Sequence, residues 1–226
     1  MAVPTIGQRA NNGKKNNVPS PLGHALAGVV VAWSADLVPG RRAWRTSVPA
    51  APFSERAGGA LTWMCAGLGI LPDGDLIFRV HRTFSHSVSA LVFVTIIAAG
   101  VTAWVTRRPV WRVALMCGGA YGTHLVLDWL AVDRTLPYGI ELFWPFSHEW
   151  FISGVDLFSQ TARLRVFSLS SMRINLIAMA WETAILLPVV ALLWLVRVKA
   201  LAGLATELPG GGHATKPTTP TVSIID

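Results

Sequence analysis

The chain has 226 residues, of which 52% are hydrophobic and only 14% charged, and its mean hydropathy is +0.49. Because typical globular domains carry about 25% charged residues, this composition excludes a disordered chain and argues against an ordinary soluble domain. The formal net charge of +7 comes from arginines scattered beside apolar segments rather than from one basic patch, so we expect no nucleic-acid partner.

The chain contains five long segments with almost no charge, and each is predicted to form a hydrophobic helix. They cover residues 22–38, 57–71, 87–105, 110–131 and 174–196. About 20 residues are needed to cross the hydrocarbon core of a bilayer. The third and fifth segments meet this length, the fourth meets it if its charged residues lie at its ends, and the first two are short. The sequence therefore predicts an all-α, multi-pass membrane bundle, with a soluble bundle of very apolar core helices as the alternative.

The two ends of the chain differ from the apolar middle. Residues 1–20 are polar and rich in Asn, and residues 201–226 are rich in Gly, Pro and Thr. Segments of this kind bury too little apolar surface to fold and are typical of disordered tails. We therefore predict one membrane-embedded domain over residues 21–200, between two tails.

Histidines and carboxylates are concentrated at the ends of the predicted helices. If consecutive helices run antiparallel, the starts of the first and third and the ends of the second and fourth lie together. The residues that this arrangement gathers are His24, Asp73, Asp75, His81, His86, His124 and Asp128, followed in the next loop by Glu141. Imidazole nitrogens and carboxylate oxygens are ligands of Zn, Mn and Fe. The sequence therefore predicts a metal centre at one membrane face.

The spacing within these motifs supports a shared site. His124 and Asp128 are four residues apart and so lie on one face of a helix. Asp73 and Asp75 flank a glycine, which permits a turn that directs two carboxylates to one point. Ser85 is predicted to cap the third helix. Seven ligands suffice for two metal ions, an arrangement suited to phosphoester hydrolysis, in which the attacking and leaving oxygens both need charge stabilisation.

The combined motifs resemble a known family. They are His24, Leu71-Pro-Asp-Gly-Asp-Leu76, His81-Arg-Thr-Phe-Ser-His86-Ser, His124-Leu-Val-Leu-Asp128 and Gly139-Ile-Glu-Leu-Phe-Trp-Pro-Phe-Ser147. Over about residues 20–195 the chain resembles the YdjM-like family of bacterial inner-membrane proteins, which are described as membrane-bound, metal-dependent hydrolases. The resemblance implies location in the cytoplasmic (inner) membrane and the seven metal-site positions named above. The family is in turn distantly similar to zinc-dependent phospholipase C, which implies a phosphoester substrate.

The leading functional hypothesis is thus a membrane-bound hydrolase with one or two divalent ions, with Zn expected and Mn or Fe as alternatives. Asp75 or Glu141 is predicted to take a proton from the attacking water, and Arg82 to hold an anionic head group. The expected partners are the lipid bilayer and a lipid or lipid-linked phosphoester.

Two other functions stay open at this point. A metal-ion transporter or sensor would use the same ligands, and would need polar groups at the bilayer midplane. A structural membrane protein would use the polar cluster only to hold its helices together. Glu182, in the middle of the fifth segment, is interpreted as a buried, hydrogen-bonded carboxyl group, with a proton relay as the alternative.

Overall fold

The computed structural model describes residues 20–38, 57–78, 81–106, 109–133, 136–159, 161–162 and 167–207. In these ranges the chain forms five α-helices, which are α1 (Pro21–Leu37), α2 (Ala60–Ile70), α3 (Val88–Val105), α4 (Val110–Leu130) and α5 (Leu169–Glu207). The predicted all-α fold is confirmed, and α5 is longer than expected. The predicted tails fall outside the described residues, apart from Ser20 and the helical residues 201–207.

Helix α1 lies at the centre of the bundle and packs against α2, α4 and α5, while α3 packs on the other side of α4. Two glycines allow α1 and α2 to approach closely. A Cβ atom on Gly28 would lie 2.2 Å from the carbonyl oxygen of Cys65, and one on Gly69 would lie 2.3 Å from that of His24. Because the backbones meet there, the end of α2 reaches the first turn of α1.

Within the described residues, three segments are long and apolar enough to cross a membrane: Ala60–Phe78, Val88–Val105 and Leu169–Ala200. The first is α2 continued by the 3-10 helix Leu71–Phe78. Helix α4, which the sequence predicts to span if its charged residues lie at its ends, is not among these three, and its crossing stays a prediction. Its polar residues lower its hydropathy, and α1, α2 and α3 cover it.

Helix α5 runs parallel to α1 and is attached to both of its ends. The carboxylate of Glu182 accepts hydrogen bonds from the backbone N–H and the hydroxyl of Ser20, which caps α1. At the other end, Arg197 Nε donates to Asp36 Oδ2 at 2.7 Å, and both side chains are buried. Glu182 is therefore a buried, hydrogen-bonded carboxyl group, as its position in an apolar helix suggested.

The segment after α4 folds back over the end of the bundle where α1 and α3 begin. Ile140 and Phe151 exchange two backbone hydrogen bonds, of 3.0 and 2.9 Å. Leu142 O accepts from Val88 N at 2.8 Å, at the first residue of α3. The segment is therefore held against the helix ends where the predicted metal ligands lie.

Candidate metal centre

Six of the seven predicted ligands come together at this end of the bundle. Their ligand atoms form two groups, in each of which all atoms lie within 4.8 Å of one another: His24, His124 and Asp128, and then Asp73, His81 and His86. The groups adjoin, because His86 Nε2 lies 3.1 Å from His124 Nε2 and 3.2 Å from Asp128 Oδ2. We call these six residues the His/Asp cluster.

Hydrogen bonds on the Nδ1 atoms orient three of the imidazoles. His124 Nδ1 lies 2.7 Å from the carbonyl oxygen of Gly69, which can only accept, so this nitrogen carries a proton. Asp75 lies 2.8 Å from His81 Nδ1 and 3.2 Å from His86 Nδ1. When these rings are neutral, their lone pairs are therefore on Nε2. A carbonyl or carboxylate behind the imidazole is typical of metal-binding histidines.

Asp128 lies among the Nε2 atoms of three imidazoles. Its Oδ1 is 3.5 Å from His24, and its Oδ2 is 3.2 Å from His86 and 3.4 Å from His124. The side chain is buried, and among the described residues neither oxygen accepts a hydrogen bond of normal geometry. Because a buried carboxylate without donors is costly, this set of nitrogen and oxygen atoms fits a divalent cation.

Asp73 completes the cluster from the 3-10 helix that follows α2. Its Oδ1 lies 3.8 Å from His124 Nε2 and 3.9 Å from His86 Nε2. Asp73 and the side chain of His81 are slightly exposed, whereas the other imidazoles of the cluster are fully buried. The side of Asp73 and His81 is therefore the least buried side of the cluster.

The electrostatic environment of His86 shows how negative the centre is. Burial lowers the pKa of this imidazole, but the carboxylates of Asp128 and Asp75, which lie close to its two ring nitrogens, outweigh burial and raise the pKa from 6.5 to about 9. Two carboxylates thus stabilise a positive charge at this point, as they would stabilise a bound cation.

Asp75 lies behind the imidazoles rather than in either group of ligand atoms. Its Oδ1 faces His81 Nδ1, and its Oδ2 accepts from Ser85 Oγ at 2.6 Å and from the backbone N–H of Arg82 at 3.1 Å. Both oxygens are therefore occupied by outer partners. These contacts favour an orienting role, and the predicted roles as ligand and as proton acceptor stay predictions.

Replacing Asp75 by Asn should weaken metal binding without removing it. The amide has one acceptor oxygen in place of two, so His81 and His86 are held less firmly, and loss of such outer partners costs about 10–100-fold in metal affinity. Competition with a chromogenic chelator measures the change. The exposed Asp156 provides the matched control, Asp156→Asn. Equal affinities of the two variants would contradict the orienting role.

The residue that caps α3 is Ser87 and not Ser85, the residue predicted from the sequence. Ser87 caps α3, because its hydroxyl accepts from Ala90 N at 3.1 Å. The predicted cap, Ser85, instead donates to Asp75 and lies 2.9 Å from His86 Nδ1. The predicted capping role of Ser85 is therefore wrong, because the turn Phe84–His86 places its side chain inside the site.

Arg82 joins the site to the segment after α4. It has a left-handed backbone (φ +66°), its carbonyl accepts from Glu141 N at 3.0 Å, and its guanidinium pairs with Asp133. Asp133 also accepts from Gly139 N at 2.7 Å. Asp133 is not among the residues predicted from the sequence, although an acidic residue just past Asp128 at the same helix end was a signal. Head-group binding by Arg82 stays a prediction.

The backbone hydrogen bond from Glu141 N to Arg82 O holds Glu141 beside the segment that carries His81 and His86. Its side chain is nearly buried, and its Oε2 lies 3.4 Å from Nδ1 of the exposed His148. The structure thus places Glu141 at the edge of the site, and its role as a proton acceptor stays a prediction.

Comparison with known families gives one match. The sequence model of the family described as YdjM inner membrane protein matches residues 20–204. Comparisons with curated proteins and with solved structures gave no match.

Proposed function

The chain belongs to the YdjM inner membrane protein family, and we propose that it is a membrane-bound hydrolase that holds one or two divalent metal ions in the His/Asp cluster. The observation that carries the proposal is Asp128, buried among the Nε2 atoms of His24, His86 and His124. The fit is chemical as well as geometric, because nitrogen and oxygen donors suit Zn, Mn and Fe. Cys65 and Cys117 belong to the apolar core and supply no thiolate to the cluster.

A divalent ion held by these side chains would activate water as a nucleophile near neutral pH. The protein's own residues would provide the rest of the site. Asp75 and the carbonyl of Gly69 hold the imidazoles in one tautomer, and burial of the cluster strengthens its electrostatic interactions. Glu141, at the edge of the site, is the carboxylate that we propose accepts a proton.

We propose a phosphoester of a lipid or a lipid-linked molecule as the substrate. The cluster lies where the candidate span Ala60–Phe78 ends and just before Val88–Val105 begins. A membrane-anchored phosphoester would present its polar group at this depth. Arg82 would hold the anionic head group beside the cluster.

The arrangement of polar groups favours an enzyme over a metal transporter. A transport path needs polar groups that continue towards the bilayer midplane. In the described part of the chain, the buried carboxylates along α1 and α5 are paired, Glu182 with Ser20 and Asp36 with Arg197. These carboxylates therefore connect α1 with α5, and they do not extend the cluster towards the midplane.

Hydrolysis by detergent-solubilised protein tests the reaction class. The probes are bis(p-nitrophenyl) phosphate, phosphatidic acid and polyprenyl diphosphate, each with wild type and with Asp128→Asn. We expect chelator-sensitive turnover of at least one probe by wild type, restored by added Zn²⁺ or Mn²⁺ and lost in the variant. Turnover of every probe at the level of Asp128→Asn would contradict the phosphoesterase function.

A further inference from the structure

Large apolar side chains lie on the two segments beside Asp73, His81 and His86, the least buried side of the His/Asp cluster. Five of them are exposed, and Phe146 (90%) and Ile77 (82%) almost completely so. We call these five residues the apolar rim: Ile77, Phe78, Phe84, Phe143 and Phe146. Contiguous exposed apolar surface of this kind marks a site of membrane or protein contact.

The rim is built from two segments that contact each other. Phe78 follows Asp75 in the 3-10 helix, and Phe84 lies between His81 and His86. The Phe84 ring meets that of Trp144 at a centroid distance of 6.2 Å, which brings the second segment, with Phe143 and Phe146, to the same side. The rim therefore lies beside the least buried side of the cluster.

The position of the rim indicates what covers it. Ile77 and Phe78 are the last two residues of the candidate span Ala60–Phe78, and Phe84 precedes the candidate span Val88–Val105 by four residues. The apolar exposure continues along α3, in Val88, Val92 and Phe93. The rim thus continues the lipid-facing surface of the candidate spans at the ends that lie beside the cluster.

The backbone of the second rim segment sets its depth. The residues around Phe143 and Phe146 form a turn rather than a helix, and irregular lipid-exposed backbone does not occur in the hydrocarbon core. The segment of Phe143 and Phe146 has a fixed fold, because Ile140 pairs with Phe151 and the turn closes with Phe146 N donating to Phe143 O at 2.9 Å. Aromatic side chains on such a backbone suit the boundary between head groups and acyl chains.

We propose that the apolar rim inserts into the interfacial layer of the bilayer, so that the His/Asp cluster opens onto lipid head groups rather than bulk water. The occupant of this surface is the membrane itself. Lateral entry of an amphiphilic substrate, with its polar group at the cluster and its chains in the acyl layer, rests on the proposed function. Insertion of the apolar rim into the bilayer does not depend on the proposed function.

Fluorescence quenching in proteoliposomes tests the insertion. An environment-sensitive label is attached to Phe146→Cys, and to the matched control Glu149→Cys, which is exposed three residues away. The native Cys65 and Cys117 are fully buried, so unsubstituted protein should take up little label. The vesicles contain phosphatidylethanolamine and phosphatidylglycerol, with either nitroxide-labelled lipid or iodide on both sides of the membrane.

We expect lipid with a shallow acyl nitroxide to quench the label at position 146 several-fold more strongly than at 149, and iodide to show the reverse order. Equal iodide quenching at both positions, with no nitroxide effect at 146, would overturn the proposal. A label on Ile77→Cys, in the other rim segment, must show the same quenching pattern as the label at position 146. Because no metal or turnover is measured, loss of hydrolysis would contradict the proposed function while leaving this result unaffected.

Discussion

Protein in which His81 and His86 are both replaced by alanine is expected to be purified without bound divalent metal, whereas wild type retains it. The two imidazoles belong to one group of ligand atoms, and His86 Nε2 also contacts Asp128 in the other group. Since loss of an outer partner alone costs about 10–100-fold in affinity, loss of two ligands should cost more. Elemental analysis after gel filtration measures the metal-to-protein ratio.

The control for this variant is the double substitution His148→Ala with Glu149→Ala. Both residues are exposed and lie outside the His/Asp cluster. This control should retain the wild-type metal content. Full occupancy in the His81 and His86 double variant would mean that the cluster is not the metal site, and the hydrolase proposal would lose its basis.

Removal of metal should lower the stability of the wild-type protein by several kcal/mol. The ligands come from α1, α4 and the two short segments between α2 and α3, so they meet only in the folded chain. A ligand that binds only the folded state stabilises it by about 4 kcal/mol at a thousandfold excess over its dissociation constant. Thermal unfolding in detergent, followed with and without chelator and with Zn²⁺ restored, measures the shift.

Asp128→Asn provides the matched comparison, because it keeps the size of the side chain and removes its charge. Its unfolding temperature should be nearly insensitive to both chelator and metal. A wild-type protein equally insensitive to chelator would contradict a resident metal, and a shift of the same size in Asp128→Asn would place the metal elsewhere.

The convergence of six predicted ligands at one end of the bundle could be predicted from the sequence, because it follows from helix direction. Apolar segments alternate in direction across a bundle, so His24 at a helix start and His124 at a helix end lie at the same end. The parallel contacts of α5 with α1, from Ser20 to Asp36, agree with this alternation. The charges that interrupt the apolar segments located α1 to α4 closely, whereas α5 extends beyond its predicted segment at both ends.

The contacts behind the ligands could not be predicted, because they depend on local geometry rather than on pattern. That Asp75 orients imidazoles follows from the 3-10 helix after α2, which directs Asp73 and Asp75 to different neighbours. The pairing of Arg82 with Asp133 depends on a left-handed residue and on a folded connection. The polar residues of α4 could not be interpreted from hydropathy alone, because a helix enclosed by its neighbours tolerates them.

X-ray absorption at the edge of the bound metal tests the His/Asp centre most directly. If the cluster is the metal site, wild type will show nitrogen and oxygen neighbours at about 2.0–2.2 Å, with the multiple scattering of several imidazoles, and Asp128→Asn will lose this signal. Sulfur neighbours at about 2.3 Å, or the spectrum of a hydrated ion without imidazole, would contradict it.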